Sequence, residues 1–248
     1  MSWRSGRSGR SNYWEFAPYV PVAEKKAKAQ NLVDRLSKTN PNLSPVVIEG
    51  RTLAKTWWGK AWNVNLENYA DYAYRIKRGS AYVKNGFVVD LQINAGKVTG
   101  LVSGSESEPY KVQITIDKMA DRRWKQLLPQ CAQRIGSVGE LTEGKFPEDL
   151  KDLFMEQDNG LFPSPKEIHI KCSCPDYATL CKHAAAVLYG VGARFDQDPL
   201  LFFRLRGIPF EELLTKAMDV RMNSMLKNAG KKTSRVLETD DISEIFGV

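Results

Sequence analysis

The sequence predicts an α+β fold: an antiparallel sheet packed with helices, followed by a small cysteine-rich module and a helical C-terminal tail. Three observations carry this. Apolar residues alternate with polar ones between Ala81 and Ile116, the period of a half-buried strand. On either side of that stretch they recur at helical spacing. Finally, three of the four cysteines and one of the two histidines fall within residues 171–183, "KCSCPDYATLCKH".

Taken in order, the repeated "RSG" of residues 1–12 has nothing to bury and is expected to be a flexible arm with Arg4, Arg7 and Arg10 exposed. A helix is expected over Val22–Lys38, ended by the linker "TNPNLSP". The pattern divides the chain into 1–45, a basic arm, helix and linker; 46–165, an α+β domain; 166–208, the cysteine-rich module; and 209–248, a helix with an acidic tail. From Leu53 to Tyr72 the apolar residues, Tyr69 among them, keep helical spacing with an aromatic-rich face. Trp57, Trp58 and Trp62 read as core, or as a wedge between helix and sheet. The sharper reading is a stacking platform for bases.

In "FVVDLQI", Phe87, Val89, Leu91 and Ile93 are expected on one face, with Val88, Asp90 and Gln92 on the other. "NAGK" is a turn, "VTGLVSGS" returns, and "YKVQITI" repeats the alternation, leaving Lys97, Lys111, Gln113 and Thr115 on a wet, mildly basic face. "GELTEGKF" matches phosphate-loop spacing but lacks the hydroxyl residue after the lysine and any strand leading into it, so no such loop is expected. Residues 120–135 form a helix around Pro129, with Cys131 an ordinary buried thiol. "FPEDLKDLFMEQ" is another helix, with Pro147 in its first turn.

Within the cluster the spacing is C-x-C, six residues, then C-x-H: Cys172, Cys174, Cys181 and His183. Three thiolates and an imidazole fill a tetrahedral zinc shell, leaving no position for an activated water, which is the pattern of a structural Zn2+ site. "EIHIKCSC" alternates as a strand and sends Ile168, Ile170, Cys172 and Cys174 one way and His169, Lys171 and Ser173 the other, so His169 is the poorer ligand. Pro175 ends the strand, and Thr179 is placed to cap a helix whose first turn carries Cys181 and His183. Lys171 and Lys182, neighbours in sequence, are expected to offset the net charge of the loaded site. A redox pair would be C-x-x-C beside a helix, a poorer match.

"CSCPDYATLCKHAAAVLYGVG" resembles the SWIM zinc finger, C-x-C followed after a variable gap by C-x-H. With "TWWGKAW", the sheet from "RGSAYVKNGFVVDL" to "YKVQITI", "FPEDLKDLF" and "DPLLFFRLRG", most of the chain is similar to prokaryotic SWIM zinc finger family proteins. The resemblance implies a small intracellular protein, a helicase-type partner of superfamily two, and a finger that binds DNA or proteins. Residue by residue it carries over only the four zinc ligands, and it does not reach the arm or the residues after 209.

Charge narrows the function. Lys and Arg number 36 against 29 Asp and Glu, a net charge of +7, which favours a polyanionic partner. No apolar run spans a bilayer and the start lacks a secretory signal's apolar core, so a cytoplasmic protein with no membrane partner is expected. Without a nucleotide fingerprint, or a catalytic triad around two histidines, no enzyme and no small-molecule substrate is expected. The sequence thus points to a non-enzymatic, zinc-containing accessory that binds nucleic acid, DNA or RNA, through Arg75, Lys77, Arg78, Lys84, Lys171, Lys182 and Arg194. The alternative is an adaptor whose finger and sheet bind a protein or ribonucleoprotein. In the tail, Ile242, Ile245 and Phe246 share one helical face that would dock in a groove or fold back.

Overall fold

The computed structural model describes residues 19–68, 73–156, 159–176, 178 and 180–229. The arginines of the "RSG" arm, Tyr69, Tyr72, Thr179 and the tail residues Ile242, Ile245 and Phe246 lie outside them.

The predicted α+β architecture is the one observed. Four strands, β1 (Val88–Asn94), β2 (Lys97–Val102), β3 (Tyr110–Ile116) and β4 (Ile168–Cys172), form one sheet in the order β1-β2-β3-β4. Every neighbouring pair is antiparallel. The turn between β1 and β2 needs a left-handed residue, which Gly96 supplies at φ 66°. Strand β3 shows the cleanest alternation, with Tyr110, Val112, Ile114 and Ile116 buried and Lys111, Gln113 and Thr115 exposed. In β1 the expected alternation is interrupted: Val88 pairs with Val102 and Asp90 with Leu101, so a bulge takes up Val89, and Val88 and Val89 are both buried.

The buried face of the sheet is covered by α7 (Lys182–Gln197), which is buried along most of its length. Small residues let its neighbours approach. A Cβ on Gly100 of β2 would stand 2.6 Å from Val187, and one on Gly190 would stand 3.1 Å from Leu91 of β1. Two helices flank α7: α2 (Trp57–Asn68) and α3 (Ala73–Lys84). Asp196 near the end of α7 accepts hydrogen bonds from the Thr56 N–H (3.1 Å) and the Thr56 hydroxyl, fixing the start of α2. The core reading of the tryptophans holds, with helices rather than the sheet as their partners. Trp57 donates its indole N–H to the Phe146 carbonyl, Trp58 to Phe195 and Trp62 to Leu188, at 2.8, 2.9 and 2.9 Å, and Trp62 is fully buried.

Helix α3 corrects the sequence reading, which began the sheet at Ala81. Ile76, Gly79 and Val83 are buried at helical spacing, and Gly79 lies so close to α7 that a Cβ there would stand 2.4 Å from that of Ala185. A glycine at the contact conceals the period from a hydrophobicity count.

Helix α1 (Val22–Ser37) buries Ala29 and Leu32, and Lys28 donates to the carbonyls of Gly104, Ser105 and Glu106 in the β2–β3 loop. The segment after it runs along the edge of β1, with Leu91 N–H bonded to the Ser44 carbonyl (2.9 Å) and Val46 N–H to that of Val88 (3.0 Å). Helices α4 (Asp121–Arg134), α5 (Val138–Thr142), α6 (Lys151–Met155), α8 (Leu200–Arg206) and α9 (Phe210–Ala229) pack at the other end. A single turn of 3-10 helix at 148–150 leads into α6, with Pro147 just ahead of it. Phe146, Phe154, Phe162, Phe202 and Phe203 meet there edge to face or stacked. Cys131 is buried on α4, which pushes its thiol up to about 12. Arg206, fully buried, donates to the Leu161 and Asp117 carbonyls and to Glu167 (2.8 Å). One hydrophobic core runs from Ala29 in α1 to Ala217 in α9.

Candidate metal centre

Strand β4 joins the sheet beside β3, with Val112 opposite Cys172. Its alternation puts Ile168, Ile170 and Cys172 towards the core and leaves His169 and Lys171 exposed. Cys174 follows just past the strand end, and the chain turns back to Cys181, the N-cap of α7. The Cys181 sulfur accepts the Ala184 backbone N–H at 3.4 Å, so the cap is a ligand-type residue rather than the threonine expected from the sequence. His183 lies in the first helical turn and is 1% exposed.

These four side chains converge. The Sγ atoms of Cys172, Cys174 and Cys181 and a ring nitrogen of His183 all lie within 4.8 Å of one another. Sulfurs at the corners of a tetrahedron with bonds of about 2.3 Å stand roughly 3.8 Å apart, so a small inward movement closes the set on a zinc ion. The imidazole presents Nδ1 to the thiols, 4.0 Å from Cys172 Sγ, while its Nε2 is buried without a hydrogen-bond partner among the described residues. That arrangement suits a neutral ligand with its lone pair on Nδ1 and its proton on Nε2. Tyr110 stacks on the ring at 4.2 Å and Tyr82 meets it edge-on at 5.5 Å, so the orientation is fixed by packing from β3 and α3.

The thiols are electrically unequal. The Cys172 thiol bonded to it draws Cys181 down to about 3, with His183 and the Ala184 N–H adding to the effect against burial. Cys172 is pushed up in turn by that same bond and by burial, and Cys174 chiefly by burial. Cys181 is thus the thiol the fold draws lowest, at a helix N-terminus where negative charge is favoured. The ligand set fits Zn2+: Cys172, Cys174, Cys181 and His183 would fill its four positions, and the ion would supply a structural crosslink between β4 and α7. His169 is not part of the site. It pairs instead with Asp117 at 3.1 Å, on the exposed face.

The basic residues do not form the single surface drawn from the sequence. Arg75 forms an ion pair with Asp176 in the turn between the ligand pairs, with both side chains at the zinc module. Lys182 lies over the Tyr82 ring, 5.8 Å from its centroid, and together with Arg75 helps hold the Asp176 carboxyl below the usual range. Burial pushes the Tyr82 hydroxyl up, and the neighbouring Arg78 works against that shift. Lys77, Arg78 and Lys84 are exposed on α3. Arg75, Arg78 and Lys182 thus gather beside the module, with Lys77 and Lys84 further along the helix. Lys171 is elsewhere: it faces away from Cys172 across the sheet, so of the two lysines expected to offset the site's charge it is Lys182 that lies on the module's side. Arg194, at the far end of α7, donates to the Ser44 hydroxyl and to the Ser44 and Pro45 carbonyls, and that guanidinium is occupied within the fold. Sequence reading missed Asp176, Tyr82 and Tyr110. The "PD" turn after Cys174 is the signal that could have found the first; the tyrosines reach the site through long-range packing, which leaves no local mark.

With that geometry in place, residues 157–191 match the SWIM zinc finger family model, and the chain carries a SWIM zinc finger. The chain is also 36% identical, over 170 residues, to the uncharacterized protein Rv2102 of Mycobacterium tuberculosis, a match covering 68% of this chain. The chain spans 61% of that relative's length. No solved structure matches. Among the described residues, no helix is long and apolar enough to cross a membrane.

Proposed function

We propose that this SWIM-finger protein is a non-enzymatic, cytoplasmic nucleic-acid-binding accessory, working beside a helicase or another nucleic-acid machine. Zinc keeps the module's shape; the contacts to phosphate are made by basic side chains next to it. The observation that carries this is α3. The helix "AYRIKRGSAYVK" contains no acidic residue, exposes Lys77, Arg78 and Lys84, and packs against α7 so that Arg78 and Lys182 share Tyr82 as a neighbour. A positive strip held rigidly beside a metal-stapled turn is suited to a phosphate backbone.

The test is binding of the zinc-loaded protein to a labelled duplex and a labelled single strand across a salt series. Affinity should fall steeply with salt, and Lys77→Gln with Arg78→Gln and Lys84→Gln should weaken binding to both at least about tenfold while flattening the salt slope. No detectable binding at low salt sinks the proposal.

A second reading, a protein adaptor, is favoured by one specific feature. The outer part of α9 exposes Met218, Met222, Met225 and Leu226 along one side. Complex formation through such a stripe would persist at high salt, which separates the two readings.

A further inference from the structure

Beyond the helix α3 surface, the open face of the sheet forms a second site. Residues of all four strands line a concavity of about 550 Å³, among them Asp90, Thr99, Leu101, Lys111, Gln113 and Lys171. The register brings the side chains into rows. Thr99, Gln113 and Lys171 lie side by side across three strands, and Lys97, Thr115 and His169 form the next row on the same face. Successive rows on one face of a strand are about 6.8 Å apart. Lys97, Lys111 and Lys171 are all exposed there. The carboxylate that lines the concavity, Asp90, already accepts hydrogen bonds from the Ser44 N–H (2.8 Å) and the Gln92 amide (2.9 Å), and it lies near the Arg194 guanidinium. The concavity is therefore positive at its lysines, its own carboxylate is occupied within the fold, and the other carboxylate near this face, Asp117, sits beside His169.

We propose that this face is a binding track for single-stranded RNA, resting on the nucleic-acid reading above. A volume of this size lies in the range of ligand clefts. Among the described residues no aromatic side chain lines the concavity itself, and the His169 ring in the adjoining row is held by Asp117. What the face offers instead is ammonium groups for phosphates and a row of hydroxyls and amides. These are the groups that pair with a 2′-hydroxyl, which both donates and accepts, and they give RNA the advantage over DNA.

The experiment uses the full, zinc-loaded chain and fluorescence anisotropy with three probes: an unstructured labelled RNA oligonucleotide, DNA of the same sequence, and the DNA duplex. Lys111→Gln with Lys171→Gln is expected to weaken RNA binding about tenfold and to lower the salt slope by about 1.4, the loss of two single-strand phosphate contacts. Duplex affinity and melting temperature should stay unchanged. Gln113→Ala should reduce the preference for RNA over DNA with the salt slope unaltered. The inference is overturned if the double variant binds RNA as the parent does, or if the parent binds the RNA and DNA strands equally. Loss of RNA binding only in the α3 variant would overturn it while leaving the proposed function standing, and absence of binding to all three probes overturns both.

Discussion

Cys181 has two roles that a single substitution can separate. Its sulfur caps α7 and is also a member of the ligand set. Cys181→Ser keeps an oxygen able to cap the helix but removes the thiolate, so its effect reads the metal alone. Zinc content by elemental analysis should fall to a small fraction of the parent's, with a clear loss of melting temperature. Cys131→Ser should leave zinc content intact, since that thiol lies in the core of α4. The ligand quartet was legible in the sequence from ligand type and the C-x-C and C-x-H spacing, and the fold brings the four donors together. The residues that orient it were not. Tyr110 sits seventy-three positions before His183 and Tyr82 comes from another helix, so only the folded chain brings them together.

Among the elements, strands β3 and β4 could be read from the sequence residue by residue because alternation survives wherever one face is buried and the other wet. The reading failed where geometry is set by backbone proximity. The bulge at Val89 leaves two adjacent valines buried, and the α3–α7 contact is made through Gly79, which adds nothing to a hydrophobic count. Gly79→Ala tests that contact. The added methyl would stand 2.9 Å from α7 backbone atoms as well as against Ala185, and helix propensity alone would favour the change. The expected outcome is a destabilisation of about 1–3 kcal/mol in urea unfolding.

For the whole molecule, acid stability turns on the buried join between α8 and the segment leading into β4. Burial raises Glu167, but the Ser164 N–H and the Arg206 guanidinium more than offset it and leave its carboxyl below the usual value of 4.5. A lowered folded pKa contributes stability that is present above the unfolded value and lost as pH falls through the folded one. Glu167→Gln should therefore flatten the fall in stability below about pH 4.5. Arg206→Met leaves that carboxylate without its closest cation and should cost about 3–5 kcal/mol at neutral pH. The arrangement of the sheet adds a last consequence. Strand β4 belongs both to the zinc module and to the sheet, where it closes the side of β3. If stripping the metal releases β4, the "YKVQITI" segment is left with open amides and carbonyls, a template for strands of other molecules. Chelation should then produce turbidity and thioflavin-positive aggregates that grow with protein concentration, and restoring zinc before the onset should prevent them.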